Sequence, residues 1–135
     1  MMDQSSLTIN RPLHITHNQI AGLLCTAFEG GSGYWARAEV AYTPTDADLK
    51  DEATYGDWAG YEFYMVNHPE FKFTLTDLHH PDETHTVNLE TLNKGLKVMA
   101  KKYSRHFEDF INENEDAITG DVFLQCAVFG EVIYG

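Results

Sequence analysis

Thr16-His17-Asn18-Gln19-Ile20-Ala21-Gly22-Leu23-Leu24-Cys25-Thr26-Ala27-Phe28-Glu29 runs through Gly30-Gly31-Ser32-Gly33 into Tyr34-Trp35-Ala36-Arg37-Ala38-Glu39-Val40-Ala41-Tyr42. In the first part Ile20, Leu23, Leu24, Ala27 and Phe28 recur at helical spacing and form one apolar stripe. Thr16 and Gln19 have the spacing of a capping box, and the glycine cluster is suited to ending the helix. The period then falls to two: Tyr34, Ala36, Ala38, Val40 and Tyr42 share one face, with Trp35, Arg37, Glu39 and Ala41 on the other, as a strand requires. A helix followed directly by a strand calls for a mixed fold.

Downstream, residues 43–60 change composition. Pro44, two glycines and five acids predict a long acidic surface loop with a turn of helix. Residues 61–66 and 71–76 read as two strands joined as an antiparallel hairpin across Asn67-His68-Pro69-Glu70, and residues 84–88 read as a fourth strand. Leu89, Leu92, Leu96, Met99 and Tyr103 define the inner side of a helix over 89–103. A short helix follows over 104–112, with Phe107, Phe110 and Ile111 inward. Residues 117–134 are apolar on nearly every side, as in a helix central to the core or covered by a partner subunit. The expected fold is α+β, an antiparallel sheet of about four strands with three or four helices packed on one face. It forms a single domain over 1–135, with a flexible N-terminal segment at 1–13.

The 135 residues are 43% hydrophobic and 13% aromatic, enough for one core, and carry 21 acids against 9 Lys plus Arg, a net charge of −12. Such a balance argues against a surface that wraps a nucleic-acid backbone, which depends on Lys and Arg neutralising phosphates. The charge is also segregated. Lys94, Lys97, Lys101, Lys102 and Arg105 fall within twelve positions free of acids, leaving −17 on the remaining residues. Residues 1–6 carry no basic start and no apolar run follows them, so no secretory signal is expected. Nor does any apolar stretch approach a membrane span. The expectation is a soluble, cytoplasmic chain whose Cys25 and Cys126 act as small buried hydrophobes.

Seven histidines invite a metal search. His14 and His17 form a pair, and His79-His80 precede Pro81 with His85 nearby, but no C-x-x-C or H-E-x-x-H spacing occurs, and surface histidines are the expectation. An EF-hand loop starting at Asp46 fails, because Lys50 and Asp51 occupy its fifth and sixth places. The glycine cluster at 30–33 follows a helix C-terminus, where the dipole repels phosphate, and the Walker lysine is absent. Its alternative to a simple cap is an aromatic lip of Tyr34 and Trp35 for stacking on a base or anchoring a protein. No G-x-S-x-G elbow or activated thiol is present, so neither an enzyme nor a cofactor is expected.

The motifs Glu29-Gly30-Gly31-Ser32-x-Tyr34-Trp35, Met99-Ala100-x-Lys102-Tyr103-x-Arg105-His106-Phe107 and Asp121-Val122-Phe123-Leu124-Gln125 followed by Phe129-Gly130-Glu131-Val132 resemble a family of small bacteriophage and prophage proteins. The likeness covers about residues 17–135. It implies a counter-defence factor, acting in the host bacterial cytoplasm, that occupies a host protein's nucleic-acid groove or sequesters a signal nucleotide. The leading expectation is a non-enzymatic anti-CRISPR or anti-restriction inhibitor that presents carboxylates where a basic partner expects phosphates, through Asp46, Asp48, Asp51, Glu52, Asp57, Glu113, Glu115 and Asp116. The rival is an oligomeric nucleotide sponge using Tyr34 and Trp35 for the base and Lys97, Lys101 or Arg105 for phosphates. A third expectation is a structural or replication-accessory phage protein.

Overall fold

A computed structural model describes residues 13–135, so the segment expected to be flexible, 1–13, lies outside the described residues except for Leu13. Helix α1 spans His17–Thr26 and opens on the expected box: Gln19 N–H donates to Thr16 Oγ1 and Thr16 N–H to Gln19 Oε1. It is shorter than its apolar stripe suggests. The backbone widens into a π-helical turn at Ala27–Gly31, which carries the chain into strand β1 at Ala36–Val40.

Strand β1 pairs antiparallel with β2 (Lys72–Asp77), and β2 with β3 (Thr84–Asn88). The fold is α+β as expected, with three strands in the order β1-β2-β3, one fewer than the expected four. The missing strand is residues 61–66. Both edges of β2 are already occupied, and the Tyr42 hydroxyl donates to the Glu62 carbonyl at 2.8 Å. Glu62–Tyr64 instead forms a 3₁₀ turn whose Phe63 packs against Phe28 and Phe73. No hairpin joins it to β2.

The acidic segment is also more ordered than an open loop. Thr45 and Asp48 cap helix α2 (Asp46–Leu49) reciprocally, Asp51 caps helix α3 (Glu52–Tyr55), and a 3₁₀ turn follows at Gly56–Trp58. His68, buried beneath it, ties the segment to the body through Asp48 at 3.0 Å, while its Nδ1 accepts the Glu70 N–H.

Helices α4 (Leu89–Lys102), α5 (Ser104–Ile111) and α6 (Ala117–Phe129) complete the chain. Ala36, Phe73, Leu75 and Val87 on the inner sheet face join the core beneath the helices, and the opposite face carries Arg37, Glu39, Thr74, Thr76, Thr84 and Thr86. Helix α6 packs against α1, the π turn, α4 and α5. Its five consecutive buried residues, Val122 to Cys126, explain an apolar sequence on all sides without a partner subunit. Two close approaches depend on glycine. A Cβ on Gly120 would stand 2.6 Å from the Ala27 nitrogen, and one on Gly95 would stand 2.7 Å from the Ala127 Cβ. Among the described residues, no helix is long and apolar enough to cross a membrane.

Candidate functional site

The π turn and the first half of α6 bring two of the sequence motifs into contact. Asp121 receives three hydrogen bonds from the segment 32–35: Ser32 Oγ and Trp35 Nε1 donate to Oδ1 at 2.8 and 2.7 Å, and the Tyr34 hydroxyl donates to Oδ2 at 2.6 Å. One turn further along α6, the fully buried Gln125 grips the chain end. Its Oε1 accepts the N–H groups of Ile133 and Tyr134, each at 2.8 Å, and its Nε2 donates to the Tyr134 carbonyl and the Tyr34 hydroxyl. The Tyr134 hydroxyl in turn donates to Asp77 Oδ2 at 2.7 Å. A polar chain thus runs from Ser32 through Asp121, Tyr34, Gln125 and Tyr134 to Asp77 at the end of β2.

This network changes the role of the aromatic pair. Trp35 is fully buried against Phe129 and Tyr134, so it is a core residue and no part of an exposed lip. Tyr34 remains 48% exposed and borders a cleft of about 420 Å³ with Ile118 and Tyr134. Burial and the Asp121 carboxylate push its hydroxyl up to about 12, so it stays a donor at neutral pH. Lys97 lines a different groove, of about 380 Å³, with Ile15, Ile20 and Phe107, while Lys101 and Arg105 are exposed on α4 and α5. Tyr34 and Lys97, paired in the sponge hypothesis, thus border different clefts.

The eight candidate carboxylates divide by role. Asp48 and Asp51 cap α2 and α3, and Asp116 caps α6 through the Thr119 N–H and hydroxyl. Backbone hydrogen bonding holds Asp116 below the ordinary carboxylate value, and the same cause together with His68 lowers Asp48. Glu115 is half-buried, with one carboxylate oxygen lacking a partner. Asp46, Glu52, Asp57 and Glu113 are exposed, the first three on successive short turns and the last at the end of α5. Among the described residues, no hydrogen bond joins the acids of residues 46–57 to Glu113, Glu115 or Asp116. The cysteines are poor nucleophiles: burial and Glu29 push the Cys25 thiol up to about 11, and burial pushes Cys126 up to about 12.

Sequence reasoning missed Asp121, Gln125, Asp77 and Tyr134 as a connected set. The motif positions containing Asp121 and Gln125 are the available signal; Asp77 lies outside every motif. Comparison of the chain with protein-family models, curated proteins and solved structures gave no match.

Proposed function

We propose that this chain is a non-enzymatic binding protein whose acidic surface docks in the basic, phosphate-recognising groove of a host defence complex, such as a CRISPR effector or a restriction enzyme. The observation that carries this is the state of its charges. Among the described residues, no Lys or Arg forms an ion pair with a carboxylate, and the only ion pairs involve His68 and His80. Asp46, Glu52 and Asp57 therefore form no ion pair with Lys or Arg and stay open to a partner, the first two on helices α2 and α3 held by their own caps and the third on the 3₁₀ turn that follows. Fixed carboxylates lose less conformational freedom on docking than carboxylates on an open loop would. The resemblance of its motifs to phage proteins supplies the biological context, and Lys97 is on α4, a different element from the turns that carry Asp46, Glu52 and Asp57.

The test is inhibition in cells. Bacteria expressing the chain alongside an active CRISPR or restriction system are challenged with phage, and the chain is expected to restore plating. The Asp46→Lys/Glu52→Lys/Asp57→Lys variant, checked for folding by circular dichroism, is expected to abolish that rescue. Rescue that survives the triple charge reversal rejects the docking mode.

A further inference from the structure

The turn between β2 and β3 places Asp77, His80 and Glu83 together, with one ligand atom from each within 4.8 Å of the others. We propose that this turn is a binding site for a divalent transition-metal ion, with zinc the best fit. The site does not depend on the docking function.

The backbone builds the cluster. His80 N–H donates to the Asp77 carbonyl, Glu83 N–H to the His80 carbonyl, and Asp77 N–H to the Glu83 carbonyl, so the three donor residues are linked in a closed ring of main-chain hydrogen bonds. A tetrahedral ion with bonds of about 2.0 Å spaces its ligand atoms about 3.3 Å apart. Asp77 Oδ2 and His80 Nδ1 are 3.3 Å apart, and the Tyr134 hydroxyl lies 3.2 Å from the same His80 nitrogen. Asp77 is 1% exposed, and its other oxygen accepts the His79 N–H at 2.9 Å, which fixes the carboxylate plane. Tyr134 Oη donates to the Oδ2 that would ligate, the kind of outer support that orients metal-binding carboxylates.

The ion would sit between Asp77 Oδ2 and His80 Nδ1, with the imidazole binding in its neutral form. Glu83 is exposed and supplies the third ligand, and water fills the fourth position. Two carboxylates balance the charge of a divalent ion. Imidazole nitrogen and only two carboxylates favour zinc over calcium or magnesium, which prefer more oxygen ligands. Bound there, the metal would fasten the β2–β3 turn to the chain end through Asp77 and Tyr134.

Chelator-treated protein titrated with Zn²⁺ in a calorimeter is expected to bind one equivalent and to gain thermal stability as the ion is added. His80→Ala and Glu83→Gln alter exposed side chains and retain the fold; each is expected to weaken binding at least tenfold and to remove the thermal shift. His17→Ala, in the separate His14/His17 pair, is expected to leave binding unchanged. Cobalt substituted for zinc should show the intense visible bands of a four-coordinate ion. The proposal is overturned by zinc affinity that persists in the His80→Ala/Glu83→Gln variant, by its loss in His17→Ala, by calcium competing at equal concentration, or by no binding at about 100 μM zinc.

Discussion

Asp121 gathers the indole, the phenol and the hydroxyl of three neighbouring residues on one carboxylate, and two of those donors, on Trp35 and Ser32, are fully buried. Removing the acceptor strands them without water. Asp121→Ala is expected to lower the unfolding free energy by about 3 kcal/mol in urea denaturation, whereas Asp121→Asn, which keeps a carbonyl for Trp35, should cost about half as much. A loss below about 1 kcal/mol for the alanine variant would show that the cluster is dispensable. Asp77 also links stability to pH. Burial raises its pKa, but hydrogen bonds from Tyr134, the His79 N–H and His80 outweigh burial and leave it below the ordinary 3.8; Asp116 is lowered too. A lowered native value means the unfolded chain binds more protons. The stabilisation is therefore complete above about pH 4 and fades as the pH falls through the native values. Urea midpoints measured from about pH 5 to pH 2 should decline, and Asp77→Asn should flatten part of that decline.

At the scale of elements, the seam between α1 and α6 is set by Gly120. Alanine is the better helix former by about 1 kcal/mol, yet its Cβ would press on the Ala27 nitrogen and the Thr26 carbonyl carbon, which are backbone atoms and cannot rotate away. Gly120→Ala is expected to destabilise the chain by about 1–3 kcal/mol, read as a fall in melting temperature; an unchanged or raised value would mean that the helices separate freely. The helices were legible because their patterns are long and local: α4 and α6 begin at the residues their apolar periodicity indicates, and α1 opens on its own cap. Strand β3 was legible too. Residues 61–66 do not form the expected hairpin with β2 because alternation records only which side chains are buried, whereas that pairing needs an open edge on β2, and β1 and β3 occupy both. For the same reason Trp35 looked like a surface aromatic: the acceptor that draws its indole inward lies 86 positions away. Exposed acids could be located from composition, but the ones consumed by capping could be separated only when their partners were seen in place.

Over the whole molecule, no Lys or Arg neutralises a carboxylate through an ion pair among the described residues. Reversing Asp46, Glu52 and Asp57 should therefore change stability by no more than about 0.5 kcal/mol each, while reversing the cap Asp116 should cost about 1–2 kcal/mol, as chemical denaturation can verify. Partner binding through the acidic surface should weaken steadily between about 50 and 200 mM salt, because exposed charges are screened over about 8–10 Å in this range. The central position of α6 also has a consequence in time. Helix α1 is complete by residue 26, but the helix that covers its apolar stripe begins at Ala117, and the carboxylate that satisfies Trp35 is at Asp121. At about 5–20 residues per second, the ribosome needs roughly 5–20 s to cross that interval. Throughout it, Ile20, Leu23 and Leu24 have no final cover. Nascent chains arrested before Asp121 should be cut within α1 by added protease, and chains extended past Tyr134 should resist, so the native core closes only once α6 has emerged.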